Sequence, residues 1–123
     1  MERAGHRCEY CKLPPLDFLL RFHVDHIRSI KHGGASGKEN LAYCCPDCNT
    51  RKGADVGTFL NGPDSFTRFF NPRTDNWHDH FEAFEGAIYP KTPIGEATIK
   101  ILQLNDPDRI IVCQELAIDG RWP

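Results

Sequence analysis

The stretch Leu41-Ala-Tyr-Cys-Cys-Pro-Asp-Cys-Asn-Thr-Arg-Lys-Gly53 decides how the N-terminal half of this chain folds. It contains the pair Cys45-Pro-Asp-Cys48, and a second pair with the same spacing, Cys8-Glu-Tyr-Cys11, lies upstream. Each Cys-x-x-Cys knuckle can place two thiolates about 2.3 Å from one metal ion, so two knuckles complete a tetrahedral site. Zinc is the expected occupant of a four-thiolate site, with iron as its main competitor. The sequence therefore predicts a structural zinc site made by Cys8, Cys11, Cys45 and Cys48.

Three other interpretations of these cysteines are ordinary burial, a redox pair, or disulfides in a secreted protein. Two matched pairs are much more specific than one, and the N-terminal residues do not lead into the apolar core of a signal peptide. Cys44 could replace Cys45 as a ligand, but only Cys45 has the two-residue gap to Cys48. We expect Cys44 to pack in a strand and Cys113 to be a core thiol.

Short secondary-structure elements surround the predicted zinc site. Phe18–Ile27 is rich in strand-forming residues, and Leu41–Cys44 predicts a second strand. The polar, glycine-containing residues 28–39 between them predict a loop. Pro46–Lys52 predicts a helix of about two turns, with proline in its first turn and Gly53 as its stop. Because so short a helix is unstable alone, we expect the zinc ion to hold it in place.

The C-terminal part of the chain gives weaker patterns. Asp64–Phe70 predicts a helix, and Phe81–Tyr89 predicts a hairpin with Glu85-Gly86 at its turn. Gly95–Leu104 predicts a helix because its apolar residues recur at helical spacing. Asp108–Leu116 fits either a helix or a strand.

The predicted fold class is α+β. We expect residues 1–53 to form a small zinc-stabilised ββα motif, and residues 54–123 to form an α/β layer packed on it. About fifty residues bury little apolar surface alone, so an added layer makes physical sense. His78 and His80 lie in this layer, but alternating histidines without cysteine partners are not usually a metal site. Their acidic surroundings suit neither DNA contact nor catalysis.

Charge is divided unevenly along the chain. The net charge is −2, yet residues 1–53 carry nine Lys/Arg against six Asp/Glu, and residues 54–123 carry six against eleven. Because phosphate binding depends on the local field, the basic N-terminal half permits a nucleic-acid partner. The hydrophobic content of 40% is ordinary for a globular protein. No apolar run approaches the roughly 20 residues that cross a bilayer, so we expect a cytoplasmic protein without a membrane partner.

Three residues of the motif form a candidate hydrolytic site. Asp25 and His26 adjoin one another at the end of the first predicted strand, and Asn49 directly follows Cys48, so the knuckle fixes its position. Carboxylate and amide oxygens suit hard ions such as Mg²⁺ or Mn²⁺. A neutral imidazole nearby can take a proton from water. A carboxylate, an amide and a base around one phosphate predict metal-assisted phosphodiester hydrolysis.

An ordered set of motifs resembles the signature of the HNH endonucleases, also called ββα-metal or His-Me finger nucleases. His26 and Asn40 lie fourteen positions apart, and Asn40 and Asn49 lie nine apart. The resemblance covers roughly residues 3–53. It rests on Cys8-Glu-Tyr-Cys11, Val24-Asp-His-Ile27, Gly33-Gly34, Glu39-Asn-Leu41 and Cys45-Pro-Asp-Cys-Asn-Thr-Arg-Lys-Gly53.

The resemblance implies a role for each position. Asp25 and Asn49 would hold the catalytic cation, Mg²⁺ or Mn²⁺, and His26 would be the general base that activates water. Asn40 would orient the loop and the His26 backbone. The products would carry a 5′-phosphate and a 3′-hydroxyl. Asn49 replaces the final His of the signature, which favours an oxygen-bound ion. An extended strand places His23 on the same face as Asp25, so His23 is a candidate accessory residue.

The expected partner is DNA, with RNA as the other candidate. Phosphate contacts are expected from the basic residues beside the site, although any one of them is more often a solvated surface charge. The leading hypothesis is an endonuclease that nicks or cuts DNA with little sequence preference. The alternative is a non-catalytic zinc-stabilised module that binds nucleic acid or protein. The basic residues are Arg28, Lys31, Arg51 and Lys52.

Overall fold

The computed structural model describes residues 3–16 and 21–123. It confirms an α+β fold, whose described strands form three two-stranded antiparallel sheets, β1–β2, β3–β4 and β5–β6. None of the described helices has the length and apolar character that crossing a membrane requires. The elements in chain order are β1 His23–His26, β2 Leu41–Cys44, α1 Pro46–Lys52, β3 Gly57–Phe59, β4 Phe66–Arg68, α2 Trp77–His80, β5 Phe81–Phe84, β6 Ala87–Pro90, α3 Pro93–Leu102 and α4 Pro107–Ile118.

The first two strands and the first helix form a ββα motif. β1 pairs with β2 in a register that sets His26 opposite Leu41, and α1 follows β2 after a single residue. The predicted bounds of β2 and α1 are confirmed. The predicted strand Phe18–Ile27 is confirmed only over β1, and its residues 18–20 lie outside the described residues. The predicted loop contains two single 3₁₀ turns, Ile30–His32 and Lys38–Asn40.

The outer edge of β2 is covered by the first knuckle. The Glu9 amide donates to the Tyr43 carbonyl at 2.9 Å, and the Tyr43 amide donates to the Glu9 carboxylate at 2.8 Å. The other carboxylate oxygen of Glu9 pairs with Arg73. Arg3 donates to the Leu41 carbonyl at 3.0 Å. These contacts satisfy edge groups of β2 that would otherwise be open to another strand.

The predicted helix over Asp64–Phe70 is wrong, because part of this segment is strand β4. β4 pairs with β3 and sets Phe66 opposite Phe59 and Thr67 opposite Thr58. β-branched and aromatic pairs of this kind stabilise antiparallel strands. Gly57 leaves room for the Phe66 ring, which would overlap a Cβ atom there. The pairing with β3, not the local pattern, decides the structure here.

The other C-terminal predictions are confirmed with small shifts. The β5–β6 hairpin turns at Glu85 and Gly86, whose φ values of 50° and 85° both lie in the left-handed region. α3 begins two residues earlier than predicted, because the Thr92 side chain caps it by accepting from the Gly95 amide at 3.1 Å. The ambiguous segment 108–116 lies within helix α4.

One core joins the zinc knuckles to the C-terminal elements. The buried Trp77 indole donates to the Tyr10 carbonyl at 2.8 Å, and the buried Trp122 indole donates to the Cys11 carbonyl at 3.0 Å. Both acceptors lie in the first knuckle. The C-terminal elements therefore hold this knuckle from its inner side, while the division of the chain at residue 53 stays a prediction.

We expect Gly86→Ala to destabilise the protein more than Gly120→Ala. Both glycines have positive φ, so each alanine carries a backbone cost of about 1–3 kcal/mol. At Gly86 the new Cβ would also overlap α4 backbone at Ile110 and Gln114, whereas Gly120 has open space. Overpacking of this kind adds about 1–3 kcal/mol. Urea unfolding of both zinc-loaded variants measures the difference, and equal losses would contradict the close packing of the β5–β6 turn on α4.

Candidate functional site

The four predicted zinc ligands meet in one cluster. The sulfur atoms of Cys8, Cys11, Cys45 and Cys48 all lie within 4.8 Å of one another, and all four residues are buried. This is the only group of three or more His, Cys, Asp or Glu side chains placed to hold a metal ion in the described part of the chain. A closed set of four thiolates fits structural zinc, and the four cysteines predicted as its ligands lie together as a possible metal site.

The remaining cysteines lie outside the cluster. Cys44 is buried in β2, and Cys113 is buried in α4, where its sulfur accepts from Arg109 at 3.1 Å. Burial raises the pKa of both thiols, so each stays protonated at neutral pH. Neither thiol belongs to the four-cysteine cluster, in agreement with a packing role for both.

The cluster ionises unevenly when no metal is bound. Burial opposes ionisation of Cys8, but hydrogen bonds from the other three thiols outweigh it and lower its pKa well below the usual value. The same sharing of hydrogen bonds raises the pKa of Cys11 and Cys48 well above it. A bound ion must therefore displace protons from buried thiols, and zinc affinity falls as the pH falls.

The second knuckle also begins helix α1. The Cys45 sulfur accepts from the Cys48 amide at 3.4 Å and so caps the helix, and the Asn49 amide donates to the Cys45 carbonyl at 3.0 Å. Asn49 directly follows Cys48, so the knuckle fixes the position of its backbone. Its Oδ1 atom lies 3.9 Å from the Cys44 sulfur, which places the amide against β2.

Asp25 lies on the same side of the hairpin as Asn49. It is paired with Ala42, and Ala42 and Cys44 are alternate, buried residues on one face of β2. The Asn49 amide contacts this same face through Cys44. Asp25 and Asn49, two of the predicted site residues, therefore lie on the same face of the hairpin. Both are half-buried.

His26 lies on the opposite face of β1 from Asp25, as the alternation of a strand requires. Its Nε2 atom lies 3.1 Å from the Ser36 hydroxyl in the loop, and its carbonyl accepts from Lys52 at 3.3 Å. Ser36 was not predicted from the sequence, since nothing in the polar loop distinguishes it. Among the described strands only β2 pairs with β1, so the other edge of β1 has no strand partner.

Asn40 fastens the loop that follows His26. Its Oδ1 atom accepts from the Arg28 amide at 3.0 Å, and its Nδ2 atom donates to the carbonyls of Arg28 and Ala35 at 2.8 and 2.6 Å. A side chain at Gly34 would overlap both the Arg28 carbonyl and the Asn40 amide, which explains the glycine. Because these bonds occupy the amide, Asn40 supports the loop rather than a ligand. Its part in catalysis stays a prediction.

The four predicted phosphate contacts lie in three different environments. Arg28 and Lys31 are exposed on the loop. Arg51 pairs with Asp106 at 3.1 Å and ties α1 to the C-terminal layer. Lys52 is only 4% exposed and donates to the His26 carbonyl, and burial lowers its pKa while the charge of Asp25 opposes this. Nucleic-acid contact stays a prediction for all four, and only the loop pair is exposed for it.

An ion pair and three histidines lie outside the groups described above. Glu9 and Arg73 form a buried ion pair beside the first knuckle that the sequence did not predict, because their 64-residue separation carries no pattern. His80 bonds to the Thr92 hydroxyl at 2.6 Å, and His78 is exposed. His23 is exposed and lies opposite Cys44.

Residues 8–55 match the family model described as HNH endonuclease. This segment is an HNH domain. The match includes all four zinc ligands and the four candidate catalytic residues, and it indicates a nuclease-type function. No curated protein and no solved structure gave a significant match to the chain.

We expect Cys45→Ser to lose zinc and to unfold the HNH domain, because structural zinc in small domains contributes on the order of 10–16 kcal/mol of apparent free energy. Elemental analysis and thermal melting followed by circular dichroism measure the two effects. Cys44→Ala is the matched control, since this neighbouring buried cysteine lies outside the cluster. It should keep one zinc per chain. A native-like melting curve for Cys45→Ser would refute the structural role of the ion.

Proposed function

We propose that this chain is an endonuclease that hydrolyses phosphodiester bonds in DNA with the help of a divalent cation. The placement of Asp25 and Asn49 on one side of the hairpin, with His26 next in the chain, supports this most directly. This arrangement lies within the segment that matches the HNH endonuclease family. A carboxylate, an amide and an imidazole are the groups that metal-assisted hydrolysis of a phosphodiester needs.

The residues present fit a hard divalent cation. Asp25 offers a carboxylate. Among the described residues, the Asn49 amide oxygen receives only a long thiol contact of 3.9 Å, which leaves it able to bind an ion. Oxygen donors of this kind suit Mg²⁺ or Mn²⁺. When bound, the cation supplies positive charge for the phosphate and for the departing 3′ oxygen. Asn49 lies beside the second knuckle, on the same side of the hairpin as Asp25. Both oxygen donors can therefore bind the same cation.

His26 serves as the general base in this proposal. Asp25 and His26 lie on opposite faces of β1. One edge of β1 is not covered by any described strand, and a phosphodiester that lies along this edge can contact both side chains. The imidazole takes a proton from the attacking water. Lys52 holds the His26 carbonyl, and Ser36 contacts its ring. The bond between phosphorus and the 3′ oxygen breaks, so the products carry a 5′-phosphate and a 3′-hydroxyl.

The nucleic acid would reach this edge over the loop between β1 and β2. Arg28 and Lys31 are exposed there and can contact phosphates without first breaking an ion pair. Their contact with the backbone would be independent of base sequence. We therefore propose cleavage with little sequence preference.

We expect His26→Ala to abolish cleavage of plasmid DNA while zinc content and melting temperature are retained. Loss of a general base costs about 10²–10⁴ in rate. His32→Ala, which removes an exposed imidazole from the loop, is the control and should cut normally. Cutting by His26→Ala at the parental rate would show that the base is another group.

We expect Lys31→Ala to weaken DNA binding, measured by fluorescence anisotropy with Ca²⁺ in place of the catalytic cation. The logarithmic salt slope should fall by about one, because one phosphate contact is lost. Lys100→Ala removes an exposed lysine from α3 and should change neither quantity. Equal effects of the two variants would show that only the total charge matters, and would contradict a track beside the site.

A further inference from the structure

We propose that His23 is a third ligand of the catalytic cation, so that the site takes a transition-metal ion such as Mn²⁺ in preference to Mg²⁺. This inference rests on the proposed function, which places that cation between Asp25 and Asn49. It assigns His23 a different task from that of His26, the second histidine of β1.

The register of the hairpin brings His23 to the same face as the other two donors. His23 is paired with Cys44, and Asp25 is paired with Ala42, so both project on one side of the sheet. Residues two apart on a strand lie about 7 Å apart along it. The Asn49 amide oxygen lies 3.9 Å from the Cys44 sulfur, directly beside the partner of His23. An imidazole, a carboxylate and an amide oxygen therefore project on the same face of the β1–β2 hairpin.

The spacing of the two histidines separates their tasks. His23 and His26 are three residues apart on one strand, so they project on opposite faces. His26 bonds to Ser36 in the loop, away from the face that carries Asp25. His23 is exposed on that face, where an ion from solvent can reach it. In this proposal the His23 imidazole binds the cation, and the His26 imidazole takes a proton from the attacking water.

The donor set then decides which ion is preferred. Mg²⁺ takes oxygen ligands and keeps several of its waters. Mn²⁺ also accepts carboxylate and amide oxygens, but as a first-row transition-metal ion it binds an imidazole nitrogen more readily than Mg²⁺ does. A site with one imidazole nitrogen and two protein oxygens gains affinity for Mn²⁺ that it does not gain for Mg²⁺. The preference is then a property of one side chain, His23, and can be removed by one substitution.

Calorimetric titration of the zinc-loaded protein with Mn²⁺ and with Mg²⁺ tests this directly. We expect His23→Ala to weaken Mn²⁺ binding by about 10-fold or more and to leave Mg²⁺ binding nearly unchanged. His32→Ala, another exposed histidine of the same domain, is the matched control and should change neither affinity. Zinc content and circular dichroism verify that each variant is folded. Equal Mn²⁺ affinity in His23→Ala and the parent would overturn the inference.

Electron paramagnetic resonance of bound Mn²⁺ identifies the ligand independently of affinity. Pulsed measurements should detect nitrogen coupling from a directly bound imidazole in the parent and in His26→Ala, and the coupling should be absent in His23→Ala. No coupling in the parent, or coupling that persists in His23→Ala, would exclude His23 as a ligand.

The two proposals fail separately. Cleavage of plasmid without nitrogen coupling would refute the His23 ligand and leave the nuclease proposal intact. Nitrogen coupling without cleavage would support the metal site and refute the nuclease proposal, which would favour a module that binds without turnover.

Discussion

The rest of this structure depends on the four-thiolate site that joins two knuckles across 33 intervening residues. Helix α1 has seven residues, too few to persist alone in water. The second knuckle gives it both a cap, through the Cys45 sulfur, and a link to the first knuckle. Because Asn49 directly follows Cys48, the knuckle that caps the helix also fixes the backbone position of a candidate catalytic residue. The second knuckle therefore serves both the stability of α1 and the placement of Asn49.

The acidic C-terminal layer packs against the inner side of the first knuckle. Trp77 and Trp122 donate to carbonyls of the first knuckle, and Arg73 neutralises the buried Glu9 beside it. Buried polar groups need such partners, and a knuckle alone cannot supply them. Arg51 adds a further link through its ion pair with Asp106. One negative charge of this layer, on Asp106, thus serves a contact within the molecule.

The sequence predicted the features that depend on neighbouring residues. It did not predict those that depend on pairing between distant segments. The knuckle spacing, the ends of α1 and the Glu85-Gly86 turn were all visible in short windows of sequence. Asp64–Phe70 was misassigned because its strand pairs with β3, whose three residues are too few to give a pattern. Lys52 was predicted as a phosphate contact, but it donates to a carbonyl that lies 26 residues earlier in the chain. Its burial could not be deduced from sequence.

Strand β1 organises the proposed site through the alternation of its side chains. Odd positions, His23 and Asp25, face the side where Asn49 lies, and His26 faces the loop. A shift of the register by one residue would exchange these faces and separate Asp25 from Asn49. The register is fixed near both ends, by Glu9 on Tyr43 and by the Ile27 amide on the Asn40 carbonyl at 2.8 Å. These contacts therefore belong to the proposed site as much as the side chains that would touch the phosphate.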